Sequence, residues 1–241
     1  MEQHRNPEHL RHRRAIVLFV RDARREAACK PLGGRFGAHG YRGLNSRIAA
    51  RLSSLLDRAT DLLVVSESGG AYGGIRQRGA TFGERITNAM ADTLAAGYRS
   101  VAVVGNDCPS IAPADITAAF QRLDAGALIV AAPACDGGAF IVAARGATFE
   151  KSEYRERFID LPWRTSSLFD AMMLLEGAEG LPVVREDFDH WQGRSAERAL
   201  AVLFDAWRPA IRRGALPRPV RSAACHKALT RTFLTSPPLP Q

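Results

Sequence analysis

Val101-Ala102-Val103-Val104-Gly105-Asn106-Asp107-Cys108-Pro109 is an unbroken apolar run that stops at a turn carrying one acid. A continuous β-branched run suits a strand covered on both faces, and ligands of open α/β sheets gather just beyond the carboxyl ends of such strands. Asp107 is therefore a candidate for chemistry. The same residue type also closes turns and caps helices, so its role depends on what else reaches that edge.

Around this strand the apolar spacing alternates between two periods. Residues 15–20 read as a first strand, followed by a charged loop and then Leu44, Ile48, Leu52, Leu55, Leu56 and Ala59 at helical spacing. Residues 62–66 make a second strand. After the glycine-rich turn around Gly69-Gly70 and Gly73-Gly74, a helix starts near Gly83, with Ile86, Ala89, Met90, Thr93 and Leu94 inward and Gly97 as C-cap. Downstream, Pro113 opens a helix that runs to Gly126, and strands follow at 127–132 and 139–143. A polar stretch comes next, then a helix at 165–176, a short edge strand at 181–184 and a last helix at 196–207. Strands alternating with helices predict an α/β fold, a mainly parallel sheet with helices on both faces. The expected organisation is a basic, unstructured segment at 1–14, one domain at 15–207 and a basic Pro/Arg-rich extension at 208–241.

The 241 residues are 46% hydrophobic, enough for one packed domain. A net charge of +8 suggests nucleic acid until it is located. Arg208, Arg212, Arg213, Arg218, Arg221, Lys227 and Arg231 follow Asp205 with no acid among them, and without them the body is nearly neutral. This argues against nucleic acid as the partner of the body. Cys29, Cys108, Cys135 and Cys225 have neither metal-site nor disulfide-framework spacing, so reduced thiols in a cytoplasm are expected. The six apolar residues at 15–20 are too short for a membrane span.

Four segments would meet at one sheet edge in a doubly wound fold. After the first strand, Arg21 and Lys30 could neutralise a diphosphate, the first by a guanidinium fork and the second as a point charge. Before the helix at Gly83, the segment Gln77-Arg78-Gly79, with Arg85, could hold a nucleotide, its glycines letting backbone N–H groups approach a base or phosphate. The third is the Asp107 loop, and the fourth is Cys135-Asp136-Gly137-Gly138, where a carboxylate could orient an acceptor hydroxyl or take its proton. Two acids on separate loops suit Mg2+ or Mn2+ shared with a diphosphate, and Asp187 and Asp189 could supply or support a further ligand set.

Taken together, Gln77-Arg78-Gly79, Phe82-Gly83-Glu84-Arg85, Gly105-Asn106-Asp107-Cys108-Pro109-Ser110 and Ala134-Cys135-Asp136-Gly137-Gly138-Ala139-Phe140 resemble the DUF2064 group of GT-A glycosyltransferase-like proteins. Phe158-Ile159-Asp160-Leu161-Pro162-Trp163 and Asp187-Phe188-Asp189 resemble that group's I-P-W and D-x-D features, so the likeness spans about residues 15–205. The resemblance implies the Rossmann-like fold of nucleotide-diphospho-sugar transferases, and the group is similar to phospholactate guanylyltransferase. It further implies Asp107 and Asp189 as metal ligands, phosphate-facing bases at Arg21 and Lys30, and an acceptor site at Asp136, Gly137, Gly138 and Trp163. After the first strand the chain departs from the group's G-x-x-K-T-R-L pattern, and Ala139 stands where an aromatic is usual.

The leading expectation is metal-dependent transfer of a sugar from a nucleotide-diphosphate donor to a small acceptor, with Asp107 and Asp136 as catalytic residues. Two alternatives stay open. One is a nucleotidyltransferase that joins a nucleoside triphosphate to a phosphorylated small molecule and releases pyrophosphate. The other is a nucleotide-binding protein without turnover.

Overall fold

The computed structural model describes residues 13–29, 37–55, 59–69 and 74–186. The segment 1–12, Lys30, Asp187, Asp189, the helix expected at 196–207 and the basic extension lie outside them.

Seven strands form one sheet: β1 (Arg14–Val20), β2 (Thr60–Ser66), β3 (Ile75–Arg76), β4 (Ser100–Val104), β5 (Ile129–Pro133), β6 (Ala139–Arg145) and β7 (Ala178–Gly180). Their order is β3-β2-β1-β4-β6-β5-β7. β1 pairs in parallel with both β2 and β4, so Leu18 faces Val64 on one side and Val104 on the other. These strands therefore end together, and their following loops share one rim.

Alternation along β1 sends side chains to two cores, as a strand covered on both faces requires. Ile16, Leu18 and Val20 pack with helices α2 (Gly37–Leu52) and α4 (Pro113–Ala125). Ala15, Val17 and Phe19 pack on the other face with α3 (Phe82–Ala95), α5 (Ser152–Ile159) and α6 (Leu168–Met173). The sheet is mostly parallel, with helices on both faces, as the alternating periods predict.

β6 runs against its neighbours on both sides. Only five residues separate β5 from β6, and a parallel return would need a crossover of a dozen or more, so the two form a hairpin. Because β6 lies between β4 and β5, that hairpin carries its turn, with Asp136, to the rim where β4 delivers Asp107.

Several elements differ from expectation. The charged loop after β1 contains a helix, α1 (Ala23–Cys29), which buries only Ala23 and Glu26 and is too short to show a period. Helix α2 begins at Gly37, ahead of the first periodic leucine, and ends at Leu52 in a 3-10 turn. Helix α5 occupies the stretch read as polar, inserting Tyr154 and Phe158 into the core. The helix expected at 165–176 is only Leu168–Met173, because residues 163–167 form a turn in which Arg164 has φ 66°. The edge strand expected at 181–184 is split by Pro182, which lacks an N–H. Pairing with β5 runs from β7 to the Leu181 N–H on Ala131 O and resumes as a bridge between Arg185 and Ala134. No helix among the described residues is long and apolar enough to cross a membrane.

Candidate active site

The rim encloses a cavity of about 330 Å³ lined by Arg21, Gln77, Arg85, Asp107, Asp136, Gly138 and Trp163, all singled out in the sequence. Asp107 follows β4 on a turn fixed from both sides. Before it, Asn106 is buried and donates from Nδ2 to Asn45 Oδ1 of α2 at 2.9 Å. After it, Ile111 N–H closes the turn on Cys108 O at 3.2 Å.

Asp136 sits at the tip of the β5–β6 hairpin, where its Oδ1 accepts the Gly138 N–H at 2.8 Å. Gly137 is required by the backbone and by the space. It has φ 87°, and a Cβ there would lie 2.0 Å from Ser166 O. Its carbonyl accepts the Phe169 N–H at 3.0 Å, so the hairpin and the 163–167 turn are built as one piece.

Across the first part of the rim, charges are paired. Arg21 Nη1 lies 3.6 Å from Glu26 Oε2, with Glu26 only 3% exposed. Glu67, at the end of β2, meets Arg25 at 3.4 Å and accepts the Asp22 N–H at 3.4 Å. The Gln77 amide donates to Val20 O at 2.9 Å and reaches Val65 O at 3.5 Å, so contact with a base edge would fall to its carbonyl oxygen.

Arg78 and Gly79 are not among the lining residues. The Arg78 guanidinium donates to Asp92 Oδ2 of α3 at 2.6 Å, and its carbonyl accepts from Asn88 Nδ2 at 3.0 Å. Burial pushes the Asp92 carboxyl above its usual range, although the Arg78 hydrogen bond and the charges of Arg78 and Arg155 pull it down. Gly79, with φ 128°, lets the chain turn tightly over Glu84. Both residues hold the turn that presents Gln77 and starts α3. That start is capped reciprocally by Thr81 and Glu84.

Gly83 brings α3 against the Trp163 turn. A Cβ on it would stand 2.1 Å from Ile159 O and 2.8 Å from Trp163 Cδ1. The Phe82 and Phe158 rings pack on Trp163 with centroids 5.8 and 5.2 Å away, and Trp163 Nε1 donates to Phe158 O at 3.0 Å. Arg85, one turn into α3, has no carboxylate partner among the described residues, and its buried Nε has no acceptor.

Glu26, Glu67, Asn106, Arg164 and Thr165 also line the cavity without having been assigned a role from sequence. Glu67 follows β2 as Asp107 follows β4, so the strand-end argument would have found it. Nothing in the local sequence marks Arg164, whose backbone conformation comes from its neighbours.

The sequence profile of DUF2064, described as an uncharacterized protein conserved in bacteria, matches residues 41–165. The chain belongs to the DUF2064 family. Among solved structures, this DUF2064 protein is similar to a candidate nucleotide-diphospho-sugar transferase from Desulfovibrio desulfuricans G20. That match has TM-score 0.58 and 21% identity, and covers 72% of this chain and 81% of the other. It is a likeness of fold. A CMP:2-keto-3-deoxy-manno-octonic acid synthetase complexed with CTP aligns at TM-score 0.49 and 14% identity, over 82% of this chain and 99% of that one. No curated protein matches the sequence.

Proposed function

We propose that this DUF2064 protein transfers a sugar from a nucleotide-diphosphate donor to a small acceptor, with Mg2+ or Mn2+ bound alongside the donor. The observation that carries this reading is the meeting of Asp107, Asp136, Arg21, Gln77 and Arg85 in one cavity at the carboxyl ends of β1 and β4. Ligand sites of open α/β sheets lie there. Three arginines share the lining with four carboxylates, Glu26, Glu67, Asp107 and Asp136, so a bare diphosphate would meet as much repulsion as attraction.

Asp107 and Asp136 are hard oxygen donors, which suit Mg2+ or Mn2+. No group of three or more metal-ligating side chains occurs among the described residues. Asp107 would hold such a cation, with waters and the donor's phosphates as its remaining ligands, which leaves Asp136 free for proton transfer. When bound, such an ion stabilises charge on the departing diphosphate. Arg21 and Arg85 would hold the phosphates and Gln77 would meet the base through Oε1, while Trp163 would form an apolar wall for the acceptor. Asp136, kept in place by the Gly138 N–H, would take the acceptor hydroxyl's proton as that oxygen bonds to the sugar C1. The C1–O bond to the diphosphate breaks, and a nucleoside diphosphate leaves.

The test is to incubate the protein with a panel of nucleotide sugars, Mn2+ and pooled small acceptors, and to measure nucleoside diphosphate released. Asp107→Asn is expected to lower that release by roughly 100-fold or more with the thermal unfolding midpoint unchanged. Full turnover in the variant would remove Asp107 from the mechanism. Pyrophosphate released from nucleoside triphosphates, with no release from nucleotide sugars, would replace sugar transfer by nucleotidyl transfer.

A further inference from the structure

Arg164 is the one residue other than glycine among the described residues with a positive φ, 66°. A long side chain held in the left-handed region costs about 1–3 kcal/mol and persists only where the surroundings over-determine it. They do so here. The Thr165 hydroxyl donates to Pro162 O at 2.7 Å, Trp163 N–H reaches Leu161 O at 2.6 Å, and Ser166 presses on Gly137. The strained backbone carries an exposed arginine that lines the cavity and has no carboxylate partner among the described residues. Arg21, by contrast, already has Glu26 at 3.6 Å.

We infer that Arg164 binds an anionic group on the acceptor, so that the acceptor class is small hydroxylated molecules carrying a phosphate or a carboxylate. That the anion belongs to an acceptor rests on the sugar-transfer reading, while the anion site stands on its own geometry. A guanidinium offers a planar fork of N–H donors that matches either oxyanion, and here it meets no carboxylate among the described residues. Its turn packs on the Asp136 hairpin through Ser166 and Gly137, so an anion held by Arg164 places the rest of the molecule near the carboxylate that would take a hydroxyl proton. Trp163, fixed by its own hydrogen bond to Phe158, adds an apolar surface to the same cavity.

The experiment is calorimetric titration of the full chain with glycerol 3-phosphate, glycerate and glycerol, and in parallel with a nucleoside diphosphate plus Mn2+. Arg164→Gly removes the guanidinium while keeping a residue at ease at φ 66°, so its unfolding midpoint should equal or exceed that of the wild type. The expected result is binding of glycerol 3-phosphate or glycerate but not glycerol, roughly tenfold or more weaker in Arg164→Gly and partly restored in Arg164→Lys, with nucleotide affinity unchanged. Which anion binds tells phosphate from carboxylate. Equal anion affinity in wild type and Arg164→Gly, no anion binding by the wild type, or glycerol binding as well as the anions would each overturn the inference. A matching loss of nucleotide affinity in Arg164→Gly would move the residue to the donor and also overturn it. Failure of the wild type to bind the nucleotide would instead overturn the sugar-transfer reading, leaving the anion arm to decide on Arg164.

Discussion

The two sides of the cavity are held in different ways. On the side built from β1, β2 and α3, ion pairs join Arg21 to Glu26, Arg25 to Glu67 and Arg78 to Asp92, and the Gln77 amide donates to the Val20 carbonyl at the end of β1. On the side built from the β5–β6 hairpin and the Trp163 turn, no ion pair takes part among the described residues, and it is the main chain that is held, by its own conformation and by side chains bonded to it. Gly137 sits at φ 87° against Ser166, Asp136 accepts from its own turn, and Arg164 is strained into place. A side-chain network can accept a substitute with similar hydrogen bonding. A backbone device cannot, since one methylene in the wrong place moves the whole turn.

The largest effect should therefore come from the hairpin. Gly137→Ala sets a Cβ 2.0 Å from Ser166 O in a left-handed conformation, and is expected to cost about 3 kcal/mol in chemical denaturation. Gly126→Ala separates strain from collision. That residue also has positive φ, 124°, but nothing lies within 4 Å of its Cβ position, so the loss should be about 1 kcal/mol. Equal losses at the two sites would show that packing against Ser166 does not hold the hairpin side of the cavity together.

The paired side is expected to lose less and to show graded rescue. Asp92→Ala leaves Arg78, whose Nε already lacks an acceptor, without its carboxylate, and should cost about 2 kcal/mol. Asp92→Asn keeps an acceptor oxygen and avoids burying a charge, so it should cost less than half as much in the same measurement. An asparagine variant as unstable as the alanine variant would mean that charge, rather than hydrogen bonding, holds the Gln77 turn.

This contrast also explains how much could be read from sequence. Strands β1, β2 and β4, the helices at Gly83 and Pro113, and the meeting of Asp107 with Asp136 are visible because apolar periods and strand-end position are local signals that the packed sheet preserves. The five-residue gap between β5 and β6, which carries the reversal of β6, is local as well. Helix α1 was hidden because two buried residues in seven define no period. The partners of Arg78 and Arg21 were hidden because Asp92 reaches Arg78 from the next helix, and Glu26 meets Arg21 only once α1 has formed. Arg164 was hidden most completely, since its φ is imposed by contacts from Pro162, Thr165 and Gly137 and not by its own preference.

The smallest effect tests whether α5 supports the backbone-held side. Tyr154 of α5 donates its hydroxyl to Glu176 O at 3.0 Å, tying that helix to the turn after α6. Burial pushes the phenol up to about 12, with Arg157 opposing and Glu176 adding to the rise. The folded protein thus holds this proton more tightly than the unfolded chain, whose tyrosine titrates near 10. The resulting stability is fully present below pH 10 and is lost as pH climbs through about 12. Tyr154→Phe should cost about 1 kcal/mol at neutral pH, from the lost bond to a carbonyl. The gap between wild type and variant should stay level up to pH 10 and then narrow toward 12, as followed by urea denaturation at each pH. A gap that widens over that interval would mean that the ionised phenol is better accommodated in the fold than in water, and that α5 is a loose support for the turn it touches.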